Sequence, residues 1–179
     1  MSQIKEKKLR LVFNSESLKE TLKNTMQLVE LQAQKKGIDL LLEIDPSLPT
    51  KFCTDHIRLS QIVLNLLNNA IKFTKEGHVK VIVEMMPEPN WIKISVEDSG
   101  ISMTQENLQK LFSSYTHIEF EGRQNLNPTG AGLGLKVAYN LAILLGPQGH
   151  QGITVTSIPG QGSTFTFIIE NQENNCLKA

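Results

Sequence analysis

The sequence predicts an α/β (α+β) two-layer sandwich, with a mixed, mostly antiparallel sheet and helices packed on one of its faces. Three observations carry this. Amphipathic helical stretches are separated by strand pairs. Residues 79–85 and 91–98 read as a hairpin, with Ile92, Ile94 and Val96 facing one way. A chain of 179 residues, 40% hydrophobic and 20% charged, is long enough for one well-buried core. One domain is expected.

Residues 14–36 form the first predicted helix. Ser15 and Ser17 can cap it, Ser17 with Glu20 fits a capping box, and Leu18, Leu22, Met26, Val29 and Ala33 recur at helical spacing. Gly37 ends it. "IDLLLEID" (38–45) is a strand closed by Pro46, and "SLPTKFCTD" is a connection into a second helix, 55–73. The two hairpin strands follow, joined by "PEPN". A short helical stretch, 104–112, leads into about 17 residues rich in Ser, Asn, Gly and Thr. A loop of that length inside a compact domain is usually functional or disordered. Residues 134–146 read as a helix, 153–158 and 163–169 as a final hairpin around Pro159 and Gly160, and "NQENNCLKA" as a frayed tail.

Lys and Arg number 18, as do Asp and Glu, so no bulk field argues for nucleic acid or an anionic membrane. Cys53 and Cys176 lie far apart without metal-ligand spacing, so neither a disulfide nor a zinc site is expected, and a reducing, intracellular setting is favoured. No run approaches the roughly 18 apolar residues of a membrane helix, and no signal peptide is evident.

The second helix carries the first functional signal. At 100° per residue Gln61, Asn65, Asn69 and Lys72 share a narrow sector, while Leu59, Val63, Leu66, Leu67 and Ala70 occupy the opposite face. Leu64, Ile57 and Ile71 widen the apolar surface. So narrow a polar row, flanked by residues that prefer burial, suits the wall of a binding site. Amides bonded to a neighbouring loop are the alternative. Asn68 sits off the row. "EDSGIS" (97–102) sets Asp98 and Gly100 where a strand stops. A carboxylate there can accept from an amine, although an Asp and a Gly after a strand also make an ordinary turn. "TGAGLGLKV" (129–137) places Gly130, Gly132 and Gly134 before a helix, where backbone N–H groups can meet a phosphate. No strand runs directly into it, so it fails as a dinucleotide fingerprint, and it lacks the Gly-Lys-Ser/Thr of a P-loop. A flexible hinge is the alternative there.

In this order the motifs resemble the catalytic ATP-binding domain of sensor histidine kinases, within the superfamily shared with gyrase, Hsp90 and MutL ATPases. "DHIRLSQIVLNLLNNAIKFT" is similar to the N box, "EDSGISM" to the G1 box, "LFSSYTHIE" to the F box, "GAGLGL" to the G2 box and "GQGST" to the last glycine turn. "GIDLLLEIDPSLP" is similar to the opening strand. The resemblance covers about residues 14–169. It implies a Bergerat fold with an ATP lid at Ser113–Thr129, a linker remnant over 1–13, the catalytic domain over 14–170 and a flexible tail over 171–179.

The resemblance also implies roles for single residues. Asn69 would ligate Mg²⁺ and Lys72 would meet phosphate, with Asn65, Asn69 and Lys72 forming the catalytic set. Phe73 would lie against the base. Asp98 would accept the adenine amino group, with Gly100, Ile101 and Met103 lining that end. Gly130, Gly132 and Gly134, with Leu133 in the same box, would cradle the phosphates, and Ser163 would help hold the adenine side. ATP and Mg²⁺ are thus the implied ligands.

In hydrolysing relatives the place of Asn65 carries a glutamate base. An amide cannot take a proton, and loss of a general base costs roughly 10²- to 10⁴-fold. ATP would be spared from water for transfer to a histidine. Ser102 stands where the family usually has a second glycine, and Ser114 where it has proline. None of His56, His78, His117 and His150 has the setting of a phosphoacceptor. That histidine is therefore expected on a dimerisation domain elsewhere, with a response regulator downstream, no nucleic-acid partner and no direct membrane contact. The isolated domain is expected to be monomeric and cytoplasmic, or the cytoplasmic part of a membrane-anchored receptor. Rival readings are a nucleotide-binding pseudokinase module, which the intact Asn69, Asp98 and glycines oppose, and an ATP hydrolase or a serine kinase of the superfamily.

Overall fold

A computed structural model describes residues 10–104, 106 and 132–177. The short helix at 104–112, the F box, the lid, His117, Ser114 and Gly130 therefore fall wholly or mainly outside the described residues. The chain order is β1 (Asn14–Glu16), α1 (Leu18–Lys36), β2 (Ile38–Ile44), β3 (Phe52–Thr54), α2 (His56–Phe73), β4 (Gly77–Met85) and β5 (Trp91–Asp98). Then come α3 (Gly132–Leu145), β6 (Thr154–Ile158), β7 (Gly162–Glu170) and α4 (Glu173–Cys176). Five strands form one sheet in the order β2-β4-β5-β7-β6, and β1 pairs with β3 in a small second sheet. In the large sheet only β2 and β4 run parallel, a pairing that requires a crossover connection, here through β3 and α2. This is the predicted two-layer sandwich.

The first helix is shorter than expected. Residues 14–16 are extended and pair with 52–54, and Ser17 alone caps α1, accepting from the Glu20 N–H at 3.3 Å. Gly37, in the left-handed conformation (φ 69°), ends the helix as predicted. Asp55 caps α2 through the Arg58 N–H. Leu18, Leu22, Val29, Leu59, Val63, Leu66 and Leu67 are buried with Val79, Val81, Ile92, Ile94, Val96 and Phe167, so one core lies between helices and sheet. At roughly 1.5–3 kcal/mol for each large apolar side chain, that core is the main term holding α2 against the sheet.

α1 and α2 run parallel at a constant offset of 35 positions. Thr21 Oγ1 lies 2.7 Å from His56 Nδ1 and Thr25 Oγ1 bonds Ser60 Oγ at 3.0 Å. Lys36 Nζ, 35 positions before Ile71, donates to the carbonyls of Ile71, Lys72 and Thr74. These are acceptors that the end of a helix leaves without intrahelical partners.

Two expectations at the C-terminus are corrected. Cys53 and Cys176 form a disulfide, their Cα atoms 6.2 Å apart. The segment 171–177 is not frayed: Cys53 N–H donates to Asn171 Oδ1, its carbonyl accepts from Gln172 N–H, and α4 follows. Sequence spacing judges only local ligand sets. Here the chain leaving β7 is brought back along β3, 123 positions away, and the argument for a reducing setting lapses. No helix among the described residues is long and apolar enough to cross a membrane.

Candidate functional site

The site begins where three strands end together. Asp98, Ser163 and Ser157 stand opposite one another on β5, β7 and β6, and Val79 of β4 completes the row. Asp98 is buried at 4% exposure and Ser163 at 5%. Burial pushes the Asp98 carboxyl above its ordinary pKa, against the opposing pull of N–H groups from Gly100 and Ser163. Gly100 N–H reaches Asp98 Oδ1 at 2.9 Å. A Cβ on Gly100 would lie 2.6 Å from the Phe73 carbonyl oxygen, so only glycine fits. Ile101 N–H then donates to that carbonyl at 3.2 Å, tying the end of β5 to the end of α2. Gly162 has φ 111°, and a side chain there would overlap the Asp98 carbonyl.

Ser102 and Met103 continue this wall. The Gly160 N–H donates to Ser102 Oγ at 3.3 Å and the Met103 N–H to Ser157 Oγ at 2.7 Å. The serine at the family's glycine position thus fastens the segment after β5 to the β6–β7 turn. Ile101 is 59% exposed and Phe73 41%, large apolar surfaces beside a buried carboxyl. Such neighbours suit a flat heterocycle with an amino group.

The other end of the site is built from α2 and α3. Gln61 Oε1 accepts from Arg58 Nη1 at 3.0 Å. Asn65 and Asn69 are half-buried, and among the described residues neither side-chain amide has a hydrogen-bond partner. Gly134, in the first turn of α3, faces this row: a Cβ there would sit 3.0 Å from Asn65 Oδ1. Gly132, Leu133 and Gly134 all lie in that turn, where main-chain N–H groups lack helical partners and the helix dipole is positive. Lys72 is exposed, its Nζ 5.4 Å from the centre of the Phe73 ring. Asn68 is exposed, off the row as expected.

Of the predicted residues, Asn65 is brought against Gly134, Phe73 is tied to Gly100 and Ile101, and Asp98, Ser163 and Met103 are joined through strand register and Ser157, while Gly130 lies outside the described residues. Of the other histidines, His56 is buried between Thr21 and the Phe52 carbonyl, His78 sits 3.3 Å from Glu97, and His150 packs edge-on against Trp91. Gly162 belongs to the "GQGST" turn singled out in the sequence, whereas Ser157 and Lys36 were missed there. Ser157 becomes visible only once β7 is known to lie between β5 and β6. The signal for Lys36 was present: a lysine 35 positions before the last turn of α2.

Mg²⁺ fits the residues present. Among the described residues no three His, Cys, Asp or Glu side chains cluster as a metal site, but the amide oxygen of Asn69 is a hard donor for a cation that keeps several waters.

Residues 54–173 match the family model described as histidine kinase-, DNA gyrase B-, and HSP90-like ATPase. The chain is 38% identical over 169 residues to the aerobic respiration control sensor protein ArcB of Escherichia coli (strain K12), covering 94% of this chain and 21% of that protein. It is 34% identical over 171 residues to hybrid signal transduction histidine kinase B of Dictyostelium discoideum, covering 94% and 8%. It thus spans about a fifth of the first relative's length and less of the second's. Among solved structures, full-length ShkA in complex with AMPPNP is similar with a TM-score of 0.73 at 26% identity, over 90% of this chain and 31% of that one. The nucleotide-free catalytic domain of histidine kinase ThkA shares the fold, with a TM-score of 0.70 at 23% identity over 92% and 99%. The chain belongs to the histidine kinase-, DNA gyrase B- and HSP90-like ATPase family.

Proposed function

We propose that this member of the family binds Mg-ATP and transfers the γ-phosphate to a histidine on a dimerisation domain outside the chain, as the catalytic part of a two-component phosphorelay kinase. One observation carries the choice of transfer over hydrolysis. The polar row beneath the first turn of α3 consists of Gln61, Asn65, Asn69 and Lys72 and offers no carboxylate to take a proton from water.

Asp98 accepts from the adenine amino group, with Ser163 beside it and Gly100, Ile101, Met103 and Phe73 around the base. Gly130, Gly132, Leu133 and Gly134 hold the phosphates against the N-terminus of α3, and Lys72 neutralises their charge. Asn69 holds Mg²⁺, which when bound supplies positive charge to the phosphate oxygens. The remaining work is positioning. In the transfer, the bond from the γ-phosphorus to the bridging oxygen breaks and a phosphorus–nitrogen bond to the imidazole forms. ADP leaves with the bond pair and the imidazole proton passes to solvent. A response regulator then takes the phosphoryl group, and the parent protein works in the cytoplasm or on the cytoplasmic side of a membrane, where the Cys53–Cys176 bond is open to reduction.

Radiolabelled ATP incubated with the chain and a histidine-bearing dimerisation domain tests this. Acid-labile label on the partner is the expected result. Acid-stable label, or phosphate released at the rate of a hydrolysing relative, would sink it.

A further inference from the structure

We propose that Ser157 determines base specificity: by fixing the direction of the Ser163 hydroxyl, it leaves only hydrogen-bond acceptors at the base-binding end, which favours adenine over guanine. The inference rests on the reading of Asp98 and Ser163 as the adenine end and extends it to a residue on a third strand.

Ser157 lies on β6, directly opposite Ser163, which lies opposite Asp98. Facing residues of antiparallel strands project from the same face, so the three side chains form one row. Ser157 Oγ has three polar neighbours: the Met103 N–H at 2.7 Å, Ser163 Oγ at 3.0 Å and the Gly162 carbonyl at 3.2 Å. A serine hydroxyl has one proton and two lone pairs. Met103 takes one lone pair, and the Gly162 carbonyl can only accept. When Ser157 donates to Gly162, its second lone pair receives the Ser163 proton, and all three contacts are hydrogen bonds. When Ser157 donates to Ser163 instead, the Gly162 bond is lost. The first arrangement has one bond more and is the one adopted. The Ser163 proton then points to Ser157, and Ser163 offers only lone pairs beside the Asp98 carboxylate.

That end of the site suits the exocyclic amine of adenine, a donor, and leaves the O6 of guanine, an acceptor, without a partner. An unpaired polar atom is what makes such discrimination strong. Ser157 needs no contact with the base to exert this preference.

Calorimetric titration of the wild-type chain, Ser157→Ala, Ser157→Thr and Asp98→Asn with Mg-ATP and Mg-GTP tests it. Alanine frees the Ser163 hydroxyl to rotate and donate to O6, so the ratio of ATP to GTP affinity should fall roughly five- to tenfold, about one hydrogen bond. Threonine keeps the hydroxyl and should keep the ratio. Loss of the Met103 bond weakens both nucleotides alike and cancels in the ratio. A ratio unchanged in Ser157→Ala, or lost equally in Ser157→Thr, overturns the proposal. Asp98→Asn separates its failure from that of the site: preference lost there but kept in Ser157→Ala leaves the adenine end standing without Ser157. Preference kept in Asp98→Asn removes the adenine end itself, and the proposal with it.

Discussion

The two ends of the site are built on opposite principles. At the base end, Asp98, Ser163 and Ser157 project from adjacent strands, with Asp98 and Ser163 buried and each group bonded within the protein before any ligand arrives. At the phosphate end, Asn65 and Asn69 are half-buried amides that no described residue satisfies, and Lys72 is exposed. With Mg-ATP bound as proposed, recognition would be preorganised where the ligand is flat, and polar capacity would be held in reserve where the ligand is anionic and brings a metal and water with it. Changes at the phosphate end should therefore cost affinity in proportion to the ligand contacts they remove. Changes at the base end should redirect preference.

The largest effect is expected at Asn69. Asn69→Ala should remove the Mg²⁺-dependent part of ATP affinity, at least about 100-fold, since even partners one shell removed from a metal cost roughly 10- to 100-fold. Titration of ATP with Mg²⁺ and with a chelator measures it. An unchanged difference between the two would take the metal away from Asn69 and erase the contrast at its strongest point.

Asp98→Asn comes next and acts on both stability and preference. The preference for ATP over GTP should fall roughly 10- to 100-fold, the worth of a hydrogen bond to a charged acceptor. The stability effect has the opposite sign. Burial raises the pKa of Asp98 in the folded chain, so between its ordinary and raised values the native state binds more protons than the unfolded one. Its contribution to stability is present below the ordinary value and is lost as pH rises through the raised one. At neutral pH the buried charge is a cost, and asparagine, which can still accept from Gly100, should leave the melting temperature of the nucleotide-free chain equal or higher. ATP binding by the wild type should weaken as pH falls through the raised pKa, because a protonated Asp98 no longer accepts freely from an amine. A melting temperature that drops in Asp98→Asn would mean the carboxylate is structural.

Gly134→Ala probes the joint between α3 and the polar row. Alanine is better than glycine in a helix by about 0.8–1.0 kcal/mol. Its Cβ would lie 3.0 Å from Asn65 Oδ1 and would push the helix terminus away from the row. ATP affinity should fall roughly five- to tenfold, the scale of a helix end acting on an anion, while thermal stability holds. Full affinity would show that the phosphates do not rest on this turn.

How much of this was legible follows from which interactions are local. α2 could be read because its apolar face and its narrow polar row recur at helical spacing within one short stretch of chain. Asn65 and Asn69 could be read because a narrow polar stripe violates the ordinary pattern of a buried helix. β1 and β3 could not, since three residues are too few to show alternation and each exists only by pairing with the other. Ser157 looked like any hydroxyl on an edge strand. Its meaning depends on strand order, and sequence pattern does not specify which of five strands become neighbours.

The disulfide was the least legible feature, and it supplies the prediction with the smallest effect on nucleotide. Cys53 and Cys176 tie α4 to β3, on the side of the domain formed with β1, and neither cysteine belongs to the row of Asp98 or that of Asn69. A cross-link closing a long loop stabilises chiefly by restricting the unfolded chain, typically by about 2–4 kcal/mol. Cys176→Ser should therefore lower the melting temperature by roughly 5–10 °C for a domain of this size. Calorimetric ATP affinity and the ATP-to-GTP ratio should stay within about twofold, since the base end is held by strand register and the phosphate end by α2 against α3. If affinity fell along with stability, the hydrogen bonds of Cys53 N–H to Asn171 and of Gln172 N–H to Cys53 would have to reach the site through α2, whose N-terminus begins two residues beyond β3. The two ends would then share one cooperative support. The fold instead points to independence, because Asp98 is held through Gly100 and strand register and Asn65 lies against Gly134, contacts the disulfide does not touch.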